Sequence, residues 1–304
     1  MRRANERPGG SAGSGCAVGR PQRQCPSASR STQTSEAIEA SQANSSHCLR
    51  GVRRSWTTAC AHAIMAKSDR GGADRMRGFD SKLSFAESFI DLAETTPIDK
   101  ITVNMIVERI GKHRKTFYYH FSDKEDLMRW LFRFDLAQGL ENEFGMAHLV
   151  YEGAGGSYPD FPFYVRNVLG NGRIYNARFF EAFARSLESR RTYYRAVFSF
   201  RGLGSLEHYL YDLYCPELKA DIVHLIRESL AEEPAILQAE QSERLLSGDG
   251  VDFLAEFFTG AFVQRIIKRL IDDPSRRTID DIRPYENVIH DSLWLLIGSE
   301  MPRR

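Results

Sequence analysis

Between residues 112 and 124 the chain sets long donors beside phenols: Lys112, His113, Arg114, Lys115 and Thr116, then Tyr118, Tyr119 and His120, then Lys124. These types share reach rather than reactivity. Cationic donors and flat hydroxyl-bearing rings are the side chains that meet base edges and phosphate oxygens in a DNA major groove. A basic run on a helix is usually only a solvated surface, so the function turns on what presents it. No other stretch offers sharper chemistry: there is no P-loop, no G-x-S-x-G elbow and no H-E-x-x-H. No catalytic residue, no metal and no cofactor is therefore expected.

The presenting elements are legible. Thr102 is a good N-cap, its hydroxyl able to accept from a first-turn amide. Val103, Ile106, Val107 and Ile110 follow at helical spacing. Gly111 ends that helix, because glycine takes left-handed C-cap angles cheaply. A second helix begins near His113 or Arg114 and runs to Phe121. Two short helices joined by a tight glycine turn make a helix-turn-helix pattern. Phe117 and Phe121, four apart, face the core, and Lys115, Tyr118 and Tyr119 lie largely off that side. Ser122-Asp123-Lys124-Glu125 reads as an S-x-x-E capping box that opens a third helix through Leu127, Trp130, Leu131 and Phe134 to about Phe144. A lysine at position 124 opposes the helix dipole, and a bound phosphate would explain it. Ahead of these, Phe85, Phe89 and Leu92 predict a helix over 81–94, broken at Pro97, with Ile98 and Ile101 plugging the core and Arg109 in a salt bridge.

Taken together, I-T-V-x-x-I-V-E-R-I-G-x-x-R-x-T-F-Y-Y-H-F-x-D-K-E-D-L resembles the DNA-binding domain of the TetR/AcrR family of bacterial transcription regulators, from Lys82 to Trp130. The resemblance implies a three-helix domain with a very short recognition helix, joined to an all-helical effector and dimerisation domain. It implies that Thr102, Tyr118, Tyr119, His120 and Lys124 touch the DNA backbone. It places Lys112, His113, Arg114, Lys115 and Thr116 at the variable, base-reading positions. Many family members carry a small apolar residue and then serine after the turn glycine; here Lys112 and His113 stand there, so the operator is an individual one.

The totals fit one large or two modest domains: 304 residues, 42% hydrophobic, net charge +1. The charge is unevenly spread. Residues 1–78 hold thirteen Lys/Arg against five Asp/Glu, leaving 28 against 35 for the rest. An acidic body with a basic patch binds DNA through the patch alone, with strong salt dependence. Residues 1–78 are rich in Ser, Gly, Ala, Arg and Gln and have almost no large apolar residues before Trp56, which predicts a disordered tail. Met65 and Met76 are plausible starts, so this tail is expected to lie outside the native protein; a transit peptide and a basic DNA-binding arm are the alternatives. His47-Cys48 with Cys60 and His62 fits no closed zinc module. Cys215 stands alone in the rest of the chain, which predicts a reduced, cytoplasmic protein with no membrane span; a thiol sensor at Cys215 is the sharper alternative to inert packing.

The expected organisation is all-α: a disordered basic tail over 1–78, a helix-turn-helix DNA-binding domain over 79–130, and a helical effector-binding and dimerisation domain over 131–304. A loop is expected over 145–162, with helices over 163–169, 173–189, 192–213, 218–231, 238–246, 252–272 and 278–298. Crowded aromatics, among them Phe179, Phe183, Tyr194 and Tyr209, suit either a packed core or an apolar ligand cavity whose lining the sequence does not name. The last two helices are apolar on more than one face, which predicts a homodimer through a four-helix interface. The sequence thus predicts a repressor that binds double-stranded DNA at a palindromic operator and is released by a small-molecule effector. The alternative is a regulator of the same DNA-binding type, controlled by a protein partner and acting as an activator.

Overall fold

The computed structural model describes residues 72–153, 155–166, 177–202, 204–230, 249–273, 275–282, 288 and 291–292. The expectations for residues before 72 (His47, Cys48, Cys60 and His62 among them), for the helix over 238–246 and for most of the last helix lie outside these. The fold is all-α. Its helices are α1 (Gly72–Ala93), α2 (Val103–Arg109), α3 (Arg114–His120), α4 (Lys124–Glu143), α5 (Ala177–Ser189), α6 (Arg191–Ser199), α7 (Leu206–Leu230), α8 (Asp249–Asp272) and α9 (Thr278–Ile282). Two short strands, β1 (Leu149–Val150) and β2 (Tyr164–Val165), pair antiparallel, Leu149 opposite Val165. Among the described residues no helix is long and apolar enough to cross a membrane.

One apolar core runs from Phe79 on α1 to Leu270 on α8. In its first part Phe85 meets Phe117 edge-on at 5.3 Å and Phe121 at 6.4 Å, closing α1 over α3. Edge-to-face pairs of this kind add to what ring burial itself gives. Phe79 packs on Trp130 and Phe134, and Phe89 meets Tyr193 at 5.9 Å, so α1 is anchored to α4 and α6 as well. Ile98 and Ile101 are buried under the three helices, as expected. Arg109 pairs with Asp91 at 3.3 Å.

Several expectations need correction. Helix α1 starts at Gly72 rather than 81 and takes in residues 72–78, which were assigned to a disordered tail. Phe79, seated between Trp130 and Phe134, holds this end of α1 against the core. The stretch 163–169 is not helical where it is described: Tyr164–Val165 is β2, and Phe161 to Val165 are all buried. A short, continuously apolar run does not reveal its period, so strand and helix read alike. The loop over 145–162 contains a 3-10 turn at Met146–His148 and then β1.

The helix expected over 192–213 is two. α6 stops at Ser199, Phe200 is extended, and Gly204 takes φ +80° before α7 begins. A Cβ at Gly204 would stand 3.3 Å from Glu125 Cγ, so the turn also needs glycine for its approach to α4. Conversely, α7 does not break near residue 216 but runs through Pro216. Its packing along α8 offsets the backbone hydrogen bond that proline cannot make. Finally, the cap of α4 is Asp123, not Ser122: its carboxylate accepts from the Asp126 amide at 2.6 Å, while Asp126 accepts from the Ser122 amide at 3.0 Å.

Candidate nucleic-acid interface

The turn between α2 and α3 is built as its residues require. Thr102 Oγ1 accepts from the Met105 amide at 3.4 Å. At the other end of α2, Gly111 takes φ +64° and the Lys112 amide returns to Val107 O at 2.9 Å, closing the last carbonyls. His113 is the exposed N-cap of α3, with no side-chain cap bond.

Helix α3 sorts its residues by face. Phe117 is fully buried against Phe85, which turns the opposite side outward. There Arg114 and Lys115 are exposed, Tyr118 is 49% exposed and Tyr119 is 85% exposed. Arg114 Nη2 donates to Tyr118 Oη at 3.4 Å, and its guanidinium lies 5.8 Å from the ring centre, so the two move as a unit. Two exposed tyrosines beside an arginine and a lysine, on a helix only seven residues long, form a surface with no use in the fold.

Not every predicted residue joins that face. Thr102 is exposed, but its hydroxyl caps α2. Lys112 is half-buried, donates to Ser81 Oγ at 3.0 Å and lies over the Phe85 ring at 5.1 Å. Thr116 and His120 are half-buried on the side toward α1. Burial lowers the pKa of His120, with Lys82 and Lys112 adding to the effect. Lys124 donates to Ile98 O at 2.8 Å and Ile101 O at 3.0 Å. Its ammonium satisfies the turn before α2, and that accounts for a lysine at the start of α4 without a phosphate. What the sequence did not reveal is the hub behind this surface. Asp126, through Ser122 and Tyr158, ties the end of α3 to the segment 151–161.

Residues 90–130 match the family model described as "Bacterial regulatory proteins, tetR family". This stretch of the chain therefore carries a helix-turn-helix of the TetR type. The matched span runs from the end of α1 through α2 and α3 into α4, and so contains the whole outward face of α3. No curated protein matches the chain. Among solved structures it is similar to "Dihydroxyacetone kinase operon activator DhaS", with 14% identity, 72% of this chain and 96% of that chain covered, and a TM-score of 0.38. A likeness of that size carries no argument about how this chain acts.

Behind the reading surface, α4 carries two buried charges. Arg133 is fully buried, pairs with Glu152, donates to Tyr209 Oη at 3.2 Å and to Phe161 O, and lies over the Phe163 ring at 4.8 Å. Asp135 accepts from Arg190 Nε at 3.0 Å and from Tyr194 Oη at 2.8 Å. Burial pushes its carboxyl up, and Arg190 works against that shift. Around them the aromatics of α5 and α7 pack on one another, Phe179 and Phe183 each meeting Tyr214 within 6 Å. Burial, with Glu256 nearby, raises the Cys215 thiol. That lowers its thiolate fraction and weighs against a redox sensor there.

Proposed function

We propose that this chain is a homodimeric repressor, with a reading head over 79–130 and a body over 131–304 that carries the dimer surface and responds to a small effector. The observation that carries the reading is the outward face of α3. In this reading His113, Arg114 and Lys115 read bases, while Tyr118 and Tyr119 hold phosphates. Lys112, His120 and Lys124 support the head from within, as the bonds of Lys112 to Ser81 and of Lys124 to the 98–101 turn, and the packing of His120 on Phe85, favour. The dimer is supported by α8, where Phe253 and Phe257 are 65% and 57% exposed and stack at 6.0 Å. Two heads related by a two-fold axis dock together when they stand about 34–36 Å apart, on successive major grooves of a palindrome.

The test is a selection from random duplexes with the full chain, followed by gel shifts on the winner. Arg114→Ala and Tyr118→Ala should each weaken binding about 5- to 150-fold. Placing the selected palindrome over a promoter should lower its output when the protein is present. Folded, dimeric protein that enriches no sequence would sink the proposal. The same Phe253–Phe257 face also favours a second reading, in which a protein partner docks there and the complex activates. A pure protein that stays monomeric, together with a rise in promoter output, would favour that reading instead.

A further inference from the structure

The geometry points to an effector site in the cleft between head and body, at Lys82, that takes a small organic anion: a phosphate monoester or a carboxylate. This rests on the ligand-controlled reading above and gives it a location and a ligand class. The cleft, about 450 Å³, lies where Lys82 of α1, His120 at the end of α3, Trp130 of α4, the 157–158 segment and Tyr209 of α7 converge. That volume suits a small organic molecule. A second cleft of about 710 Å³ shares Lys82, His120, Trp130 and Tyr158 with it.

Lys82 is the reason to expect an anion. Its ammonium is half-buried over the rings of Phe121 at 5.6 Å and Trp130 at 5.8 Å, with no hydrogen bond or ion pair among the described residues. The carboxylate nearby does not serve it. Asp126 accepts from the Ser122 amide and hydroxyl on one oxygen and from Tyr158 Oη at 2.5 Å on the other. Burial accordingly lowers the Lys82 pKa, with Asp126 and Asp160 only partly offsetting it. A bound anion would give that ammonium a charge-assisted hydrogen bond.

Two further donors face the same space. Tyr209 Oη accepts from Arg133 at 3.2 Å, which leaves its own hydrogen to donate. Arg129 is held, among the described residues, by a 3.7 Å pair with Asp123. An occupant here touches head and body at once, beside the Asp126–Tyr158 tie that links them. It therefore binds one head–body arrangement better than another, which is what an effector must do.

The test uses the full chain with Trp56→Phe and Trp294→Phe, so that Trp130 alone reports. Phenyl phosphate, benzoate and inorganic phosphate are titrated in turn. The expected result is a saturable change in Trp130 emission with an organic anion, weakened about tenfold or more by Lys82→Met and kept by Lys82→Arg. Tyr209→Phe, which keeps the ring, should weaken it severalfold. No saturable change up to about 10 mM, weaker than ordinary small-molecule affinity, overturns the site. So does a change that survives both Lys82→Met and Tyr209→Phe. Operator gel shifts without probe separate the two sources of phosphate. If Lys82→Met weakens operator binding as much as it weakens the probe, and duplex displaces the probe, Lys82 serves the DNA backbone and the inference falls. Probe binding that leaves operator affinity unchanged overturns the effector role. The titration needs no operator, so its failure and a failure of the DNA-binding reading are seen separately.

Discussion

Asp135 is the residue whose environment most constrains the body. Its carboxylate is buried, and Arg190 Nε spans both oxygens at 3.1 and 3.0 Å. Removing one partner of a buried pair leaves an uncompensated charge, which costs about 3–5 kcal/mol. Arg190→Met should lower the urea midpoint accordingly with the slope unchanged, and adding Asp135→Leu should recover much of the loss. A double variant no more stable than Arg190→Met would show that the pair is not the source. Sequence reading passed over both residues, although a clue was present: Arg133 and Asp135 interrupt an otherwise apolar run from Trp130 to Ala137. A helix apolar all round is buried, so charges inside such a run must find partners. Which partners cannot be read from spacing, because Arg190 lies on another helix.

Among the elements, the α2–α3 turn shows how local rules suffice. Gly111 has φ +64°, and a Cβ built there meets nothing within 4 Å. Gly111→Ala therefore introduces no clash, only the left-handed backbone, at about 1–2 kcal/mol. A lower melting temperature should result, with Gly111→Asn falling between the two, since asparagine tolerates that region better. An alanine variant as stable as the parent would mean that the turn rearranges. The Thr102 cap, the ends of α2 and α3 and the length of α4 were all legible, because caps, glycine stops and 3.6-residue periodicity act over a few residues. The β1–β2 ladder was not: two-residue strands have no period, and their pairing joins Leu149 to Val165 across a long loop. The break between α6 and α7 was missed for a related reason. It depends on the approach of Gly204 to Glu125, a contact distant in sequence.

For the whole molecule, the question is what covers α8. Phe253, Phe257, Ala261, Gln264 and Lys268 form one exposed stripe on it. Two stacked phenylalanines on such a stripe mark an association surface rather than a solvated one. Phe253→Glu with Phe257→Glu should turn a dimer into a monomer by sedimentation, with helical content kept, and operator affinity should drop because the half-sites are no longer engaged together. Dimers that survive the double change would place the interface elsewhere.

The sequence by itself determined that residues 90–130 carry a TetR-type helix-turn-helix and where α3 lies, because capping, a glycine turn and helical spacing are properties of neighbouring residues. Tertiary structure decided which of the basic and aromatic residues are free to meet a partner. Lys112 and Lys124 turned inward to Ser81 and the 98–101 carbonyls, while Tyr119 stayed out and Lys82 came to stand over the Trp130 ring. The physical reason is that the use of a charged side chain is set by which groups the fold brings within hydrogen-bonding reach, and those groups belong to other helices.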